Sequence, residues 1–491
     1  MNRIRRIFAV ACVLILVVST LPLYAISAYN HPYYDDYGFS ADVYHAWKAN
    51  GSMDEALKAA VESARLKREM WQGNYAITLI CNLQPGTFSE DLYWISNVFL
   101  ITSLIACMLF FFWTVFGVLG LERADRVSLG CLATTALIQF MPDVGEAFFW
   151  FNGGLSTVFM HALIALGAAL SVKLVCAKGF GAGSTIALLI LAVLLGGGSY
   201  GGGLFTLCML FCLMAWLFVK RHGKRWHFLL VAVLFAICFY YNVSAPGNAV
   251  RAGMIGYQTS AAKAIVQSLY YGVGQIGSQI RLPLIAITLV MLPAIFGAAK
   301  RSKFRFDHPW LVLALMTALY CTQFTPPLYS IASIGAGRQV NTYSMSFIAG
   351  WFLYVYYLAG FASRKIGDLP EITPRRFGAL TLVSVCLLGV GCLSFKRSGD
   401  VLYGIQNMSG PSALLSILTG EAQQYDREMT EREALLRDES QPVVTLRPLT
   451  VNPAVFMEDQ LKAGAIYDVR PSLRMYYGKE AIRLEGEGEV P

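Results

Sequence analysis

The strongest constraint on the fold of this chain is a series of apolar runs that recur from the amino terminus to about residue 394. Runs of roughly 15 to 25 apolar residues approach or reach the length at which a helix crosses a bilayer. Charged residues make up 14% of the chain and the mean hydropathy is +0.52, which is typical of a polytopic membrane protein. We therefore predict an all-α polytopic membrane protein of about eleven transmembrane helices, at 7–27, 93–118, 128–141, 155–177, 183–198, 203–219, 227–241, 281–298, 310–323, 342–362 and 377–394.

The basic residues predict how these helices are oriented. Lys and Arg cluster at 220–225, 300–305 and 364–376, which fall on one side of the membrane if the runs alternate. The positive-inside rule then places the amino terminus in the cytoplasm and the carboxyl terminus outside. The same clustering accounts for the net charge of +8, so no nucleic-acid partner is implied. The segment 261–279 is either a helix lying on the membrane surface or a further span.

Two long polar stretches fall on the outer side of this topology. The first outer loop, 28–92, contains the predicted helix "SMDEALKAAVESARLKREMW". The second stretch, 395–491, combines the helical "EAQQYDREMTEREALLR" with the strand-like "PVVTLRPL". We therefore expect a transmembrane domain at 1–394 and a small extracytoplasmic C-terminal α/β domain at 395–491.

An acidic pair, Asp35 and Asp36, opens the first outer loop within "YNHPYYDDYGFS". Neighbouring residues point to different faces of a helix or strand, so at most one of the two is aimed at a given substrate atom. Such a carboxylate takes a proton from a hydroxyl group, or the pair holds a divalent cation, Mg²⁺ or Mn²⁺, against a phosphate. The alternative is a helix cap or a solvated turn, since Pro32 and Gly38 mark loop structure.

Three other outer loops carry charged residues in unusual places. "MPDVGEAFFWFNGG" places Glu146 beside aromatic residues, where a carboxylate is costly unless it is paired or functional. "NVSAPGNAVRAG" and "PPLYSIASIGAGRQVNTYS" carry Arg251 and Arg338 on the side where basic residues are rare. A forked guanidinium pairs with a phosphate or with one of the outer carboxylates. The Gly-Ala-Gly step before Arg338 predicts a close approach of the backbone to a ligand.

The glycine-rich stretch "GGGSYGGG" at 196–203 looks like a phosphate-binding loop. It lacks the lysine of a P-loop and any preceding strand, and it lies between two apolar runs. We predict a tight turn between helices, with a role in lining the site as the alternative.

These motifs resemble a known class of enzymes. A first span followed by a long outer loop that opens with "HPYYDDYGFS" is similar to the membrane glycosyltransferases of the GT-C superfamily. More narrowly, "DDYGFS", "EAFFWFNGG", "SAPGNAVR", "GAGRQVN" and "MYYGKEAI" resemble a bacterial family of polytopic membrane proteins described as a domain of unknown function. The resemblance implies a GT-C-like fold in the bacterial cytoplasmic membrane. It also implies inverting transfer of a sugar from a polyprenyl-phosphate donor to a glycan or glycolipid acceptor on the outer side.

Carried onto this sequence, the resemblance makes Asp35 or Asp36 the base and Glu146 a second acid; the metal ion is predicted from the acidic pair itself, Asp35 and Asp36. It makes Arg338 and Arg251 ligands of the donor phosphate. Four further residues of the same motifs are predicted to line the substrate, namely Tyr37, Trp150, Asn152 and Asn248.

Two other functions fit the same motifs. A transporter or flippase of a lipid-linked glycan also needs an apolar bundle and arginines that bind phosphate. Ion-coupled transporters carry acidic residues at mid-membrane depth, and these are nearly absent from the predicted span interiors. A scaffold role in envelope assembly, with the C-terminal domain as a docking module, is a third hypothesis.

Overall fold

The structure is a computed structural model, which describes residues 2–256, 259–366, 373–397, 402–459, 461 and 468–486. It is built almost entirely from helices. In chain order the helices are α1 (Asn2–Ile26), α2 (Asp35–Asn50), α3 (Met53–Met70), α4 (Tyr75–Asn82), α5 (Trp94–Val118), α6 (Arg123–Gln139), α7 (Phe151–Gly154), α8 (Met160–Cys176), α9 (Ala182–Gly196), α10 (Tyr200–Val219), α11 (Arg225–Val243), α12 (Pro246–Ile255), α13 (Ala261–Gln279), α14 (Leu282–Arg301), α15 (Pro309–Cys321), α16 (Thr325–Ile331), α17 (Arg338–Ile366), α18 (Pro374–Leu393), α19 (Ser409–Leu418), α20 (Glu421–Arg437) and α21 (Arg470–Tyr477). The strands are β1 (Val443–Leu446) and β2 (Ala481–Leu484).

Most of the predicted spans are present as long apolar helices. Among the described residues, nine helical segments are long and apolar enough to cross a membrane, namely Asn2–Tyr29, Glu90–Val118, Phe151–Cys176, Tyr200–Val219, Arg225–Val243, Leu282–Arg301, Pro309–Ile331, Arg338–Ile366 and Pro374–Leu393. The chain is therefore a multi-pass, predominantly helical membrane protein, as predicted. Two further predicted runs form α6 and α9, which are 17 and 15 residues long and so shorter than a usual span. The total of about eleven spans stays a prediction.

Helix α13 has both of its ends at the same end of the bundle. Just before it, the Thr259 N–H donates to the Tyr329 carbonyl at 3.2 Å. At its other end Gln279 accepts a hydrogen bond from Ser344 at 2.8 Å, in the second turn of α17. A helix that enters and leaves at one end does not cross the bilayer, so the structure favours the surface-lying alternative.

The segment 28–92, predicted as the first outer loop, contains α2, α3 and α4. The predicted helix in this loop is confirmed as α3, whose cap Ser52 accepts the Glu55 N–H. Asp54 and Glu55 lie in its first turn and Lys67 and Arg68 in its last, so both groups of charges complement the helix dipole.

The chain after the last predicted span forms helices and a small sheet. Helix α20 and strand β1 coincide with the predicted helix and strand. Strands β1 and β2 pair in parallel, with Val443 opposite Ala481 and Leu446 opposite Leu484. The apolar helix α19 packs onto the bundle, where Ser409 donates to the Ile138 carbonyl at 2.7 Å.

The described elements after α19, which the sequence predicted as part of the C-terminal domain, share a hydrophobic core with α2. Tyr37 and Ala41 of α2 are buried together with Leu446 of β1, Tyr476 of α21 and Leu484 of β2. The spacing of Tyr37 and Ala41 puts both on one face of α2, which packs against α21. The acidic pair at the start of α2 is therefore held between the bundle and the C-terminal domain.

Candidate functional site

A cavity of about 810 Å³ lies at the end of the bundle where α2, α12 and the start of α17 meet. We call this end the site end. The volume falls within the range of about 300 to 1,000 Å³ that small-molecule sites usually have. Three lining residues, Val243, Ile265 and Ile331, are also more than a third exposed on the surface of the bundle. The cavity therefore opens to the surface between α11, α13 and α16.

Asp35 is the carboxylate that faces this cavity. It is the first residue of α2, and the preceding Tyr34 has a φ of +40°, a left-handed conformation that is strained for a residue with a side chain. The Asp35 side chain makes no hydrogen bond or ion pair with any residue that the structure describes. Burial raises its pKa, and the positive charges of Arg338, Arg251 and Lys67 lower it in part.

Asp36 lies behind the wall of the cavity, with 1% of its surface exposed. One carboxylate oxygen accepts the Asn152 N–H at 3.0 Å. The other accepts the Tyr93 hydroxyl at 2.6 Å and the Tyr33 N–H at 3.1 Å. Burial raises the pKa of Asp36 to about 7. The three hydrogen bonds favour the ionised form and lower the pKa in part, but burial outweighs them. The pair is therefore neither a solvated turn nor two equivalent acids.

A metal site made by both aspartates does not fit this arrangement. The oxygens of Asp36 are occupied by three donors, and its side chain does not line the cavity. Asp35 is the only acidic side chain among the described residues that line the cavity. Within the described ranges no group of three His, Cys, Asp or Glu side chains is placed to hold a metal ion. Dependence on a divalent cation stays a prediction.

Glu146 holds the backbone at the start of α17. Its Oε2 accepts the Arg338 N–H at 2.5 Å, and its own N–H donates to Asp143 at 2.9 Å. Gly337, with a φ of +53°, allows this contact, since a Cβ there would lie 2.4 Å from the Glu146 carboxylate. The Gly-Ala-Gly step therefore brings the backbone close to Glu146, and an approach of the same backbone to a ligand stays a prediction. Burial and the charge of Asp143 raise the pKa of Glu146, which Arg338 lowers in part.

The two predicted arginines both line the cavity. The Arg338 guanidinium lies over the Trp150 ring, 4.8 Å from its centroid, and forms no ion pair with a described residue. Arg251 lies over the Trp71 ring at 4.9 Å and donates to the side chain of Gln72. Stacking on an aromatic face holds a guanidinium in place, and in Arg338 it leaves the edge N–H groups available to an anion.

The four residues predicted to line the substrate have different surroundings. Asn152 lines the cavity, and its side-chain Nδ2 is buried without a hydrogen-bond partner in the described chain. Asn248 also lines the cavity, but its oxygen accepts from Tyr200 at 2.5 Å. Trp150 is buried beneath Arg338. The prediction for Tyr37 is corrected, because its ring packs in the shared core against Tyr476 and not in the cavity.

The glycine-rich stretch 196–203 both turns between helices and lines the cavity. It joins the end of α9 to the start of α10, as predicted. Ser199, Tyr200, Gly201 and Gly202 also line the cavity, which agrees with the alternative role in lining the candidate site. Gly201 lies so close to the turn that follows α15 that a Cβ would be 3.1 Å from the Gln323 carbonyl.

Sequence analysis missed a polar pair among the lining residues. His161 of α8 and Gln323, just after α15, are joined by a hydrogen bond of 3.1 Å between Nε2 and Oε1. Both are buried and both line the cavity. The available signal was a histidine inside the apolar run 155–177, since polar residues within spans are costly and often functional.

Comparison with known proteins finds no similar protein. No protein-family model, no curated protein and no solved structure matches the chain.

Proposed function

We propose that the protein is a membrane glycosyltransferase of the GT-C type, which transfers a sugar from a polyprenyl-phosphate donor to a glycan or glycolipid acceptor. The observation that carries this proposal is one cavity that combines the guanidinium groups of Arg251 and Arg338 with the Asp35 carboxylate, which has no hydrogen-bond partner among the described residues. A lipid-linked sugar phosphate needs positive charge for the phosphate, an apolar path for the tail and a base for the acceptor. The opening beside Val243, Ile265 and Ile331 supplies the apolar path.

In the proposed reaction Asp35 is the general base. Its carboxylate takes the proton of the acceptor hydroxyl while the hydroxyl oxygen bonds to the anomeric carbon of the donor sugar. The bond from that carbon to the phosphate oxygen breaks, and polyprenyl phosphate leaves with the electron pair. Attack from the face opposite the phosphate inverts the anomeric centre. Arg338 and Arg251 stabilise the negative charge that gathers on the leaving phosphate.

The raised pKa of Asp35 suits this role. A general base is most effective when its pKa lies near the working pH, and burial moves the pKa of Asp35 upward, toward that range. The nearby arginines keep part of the anionic form available. The absence of a described hydrogen-bond donor leaves its oxygens free to accept the proton of a substrate.

Asp36 and Glu146 act as positioning residues in this mechanism and not as acids. Asp36 ties the first turn of α2 to Tyr93 and Asn152. Glu146 fixes the backbone from which the Arg338 side chain extends. We place the reaction on the outer side of a bacterial cytoplasmic membrane, with the amino terminus inside and the carboxyl terminus outside, because the basic loops lie at the opposite end of the bundle from the site.

The test is transfer of radiolabelled sugar from polyprenyl-phosphate sugars by the purified full-length protein in lipid. We expect Asp35→Asn to lower transfer by about 10²- to 10⁴-fold, the usual contribution of a general base. Asp42→Asn, an exposed aspartate on the same helix, is the matched control and keeps wild-type transfer. Full activity of Asp35→Asn, in a variant that melts like wild type, would contradict the proposal.

A second candidate function is transport of a lipid-linked glycan. The observation that favours it is the buried His161–Gln323 pair, because polar groups inside the spans of a bundle often mark a substrate path. In proteoliposomes, movement of a labelled lipid-linked glycan across the bilayer that persists in Asp35→Asn, together with no sugar transfer by wild type, would establish transport in place of transfer.

A further inference from the structure

A second cavity, an apolar groove of about 640 Å³, runs between α1, α5 and α6. It shares no lining residue with the cavity of the proposed site. Its walls are Val13, Leu16, Val17, Thr20, Leu21, Tyr24, Ile105, Leu109, Phe110, Trp113, Arg126, Val127 and Cys131. Arg126 is the only charged side chain among these described residues. The others are apolar apart from Thr20, which donates to the Leu16 carbonyl, and Tyr24, which hydrogen-bonds to Thr102 of α5.

The groove exists because α1 and α5 both pack along α6 but scarcely touch each other. Leu16, Thr20 and Cys131 form its buried floor. At the site end a hydrogen bond of 3.0 Å between the Tyr24 hydroxyl and Thr102 joins α1 to α5. The separation of Val13 and Tyr24 along α1 corresponds to about 16 Å of helix, roughly the depth of one leaflet of a bilayer with a core of about 30 Å.

The charge of Arg126 has no anionic partner in the part of the chain that the structure describes. Its guanidinium lies over the Trp113 ring, 4.4 Å from the centroid, and its Nε is buried without a hydrogen-bond partner. The acids of the same turn are already paired, because Glu122 and Asp125 lie 3.2 and 3.3 Å from Arg5. A buried donor of a charged group that is left unpaired is costly, so an anion at this point would stabilise the protein.

We propose that this groove binds an anionic phospholipid, with one acyl chain along the apolar walls and the headgroup phosphate on Arg126. A groove on the lipid-facing side of a bundle is filled by acyl chains, and the single cation at one end selects a negative headgroup over a neutral one. Arg126 lies at the end of the bundle opposite the site end, near the amino terminus, so the lipid belongs to the leaflet on that side. This inference does not depend on the glycosyltransferase proposal.

The test is native mass spectrometry of the full-length protein in a neutral detergent, titrated with phosphatidylglycerol or phosphatidylcholine of identical acyl chains. Wild type should bind phosphatidylglycerol at least about tenfold more tightly, the usual weight of one charge-assisted hydrogen bond. Arg126→Gln should remove this preference. Arg123→Gln, an exposed arginine three residues away and outside the groove, is the matched control and should keep it.

A second variant keeps the proposal testable if Arg126→Gln fails to fold. Leu21 is 55% exposed on the wall of the groove, so Leu21→Trp fills the groove at little cost to the fold and should weaken binding of phosphatidylglycerol. Equal binding of the two lipids by wild type would overturn the proposal. So would an equal loss in Arg123→Gln and Arg126→Gln, or unchanged binding in both Leu21→Trp and Arg126→Gln.

Discussion

At the residue scale, Asp35 and Asp36 are neighbours in the chain with different environments. Successive side chains in a helix are rotated by about 100°, so the first turn of α2 directs one carboxylate into the cavity and the other into the protein. Asp36 is satisfied by Tyr93, Asn152 and Tyr33, whereas Asp35 has no described partner. Asp36 thus serves the fold, and Asp35 is the carboxylate that the proposed reaction uses.

This difference predicts that replacing Asp by Asn lowers stability at position 36 but not at position 35. Asp36→Asn places an amide NH₂ against a hydrogen-bond donor, so we expect it to lower the free energy of unfolding by about 1.5 to 3 kcal/mol. Asp35→Asn removes no hydrogen bond within the described chain, and the melting temperature should stay at or slightly above that of wild type. Thermal unfolding of the two variants in detergent measures this difference. Equal melting temperatures would show that Asp36 is not held as described.

At the scale of the element, the start of α17 depends on one glycine. Gly337 has a φ of +53°, and its Cα faces the carboxylate of Glu146, which accepts the next N–H in the chain. The helix begins at Arg338, so the orientation of this arginine is coupled to the loop 141–150. The contact joins two outer loops that are almost 200 residues apart in sequence.

We predict that Gly337→Ala disturbs both stability and the placement of Arg338. A side chain at this φ costs about 1 to 2 kcal/mol, and the new Cβ would also displace Glu146. Under the proposed function the KM for the lipid-linked donor should rise, because the arginine proposed to bind its phosphate moves. Gly253→Ala is the control, since Gly253 has no neighbour within 4 Å of an added Cβ and lies in α12. A wild-type KM and melting temperature in Gly337→Ala would refute the role of Gly337 in placing Arg338.

At the scale of the whole molecule, a charged cluster ties the first outer loop to the C-terminal domain. His31 lies between Glu433 and Asp426 of α20, at 2.7 and 3.0 Å. Burial alone would lower the pKa of His31, but the hydrogen bonds and charges of Asp426 and Glu433 outweigh it and raise the pKa to about 9. Since His31 lies four residues before Asp35, this cluster also holds the segment of chain that leads to Asp35.

The raised pKa of His31 predicts a stability that falls at alkaline pH. A folded-state pKa above the unfolded value of about 6.5 contributes stability that is fully present below pH 6.5 and is lost as the pH rises through about 9. The loss should be on the order of 3 kcal/mol. We expect the melting temperature of wild type to fall between pH 6.5 and 9.5 and that of His31→Gln to fall less. His45→Gln, an exposed histidine on α2, should behave like wild type. If the melting temperature of His31→Gln falls as much as that of wild type, groups other than His31 cause the loss of stability.

The sequence by itself determined the membrane class and most of the elements. Apolar runs and polar stretches are local properties, so the helices, the charged helix α20 and the strand β1 could be predicted from composition and periodicity. The acidic pair and the two arginines were recognised for a similar reason, because their residue types are unusual where they stand. The start of α6 was less well predicted, at residue 128 instead of Arg123, because the charged residues of its first turn interrupt the apolar run but not the helix.

Only the tertiary structure decided which of these residues share a site. The cavity brings together Asp35, Arg251 and Arg338 from three distant loops, and adds the His161–Gln323 pair. It also excludes Tyr37, because one face of α2 is taken up by the core of the C-terminal domain. The physical reason is that burial, hydrogen-bond partners and close approaches are set by contacts between segments far apart in the chain, and no local pattern of residues encodes them.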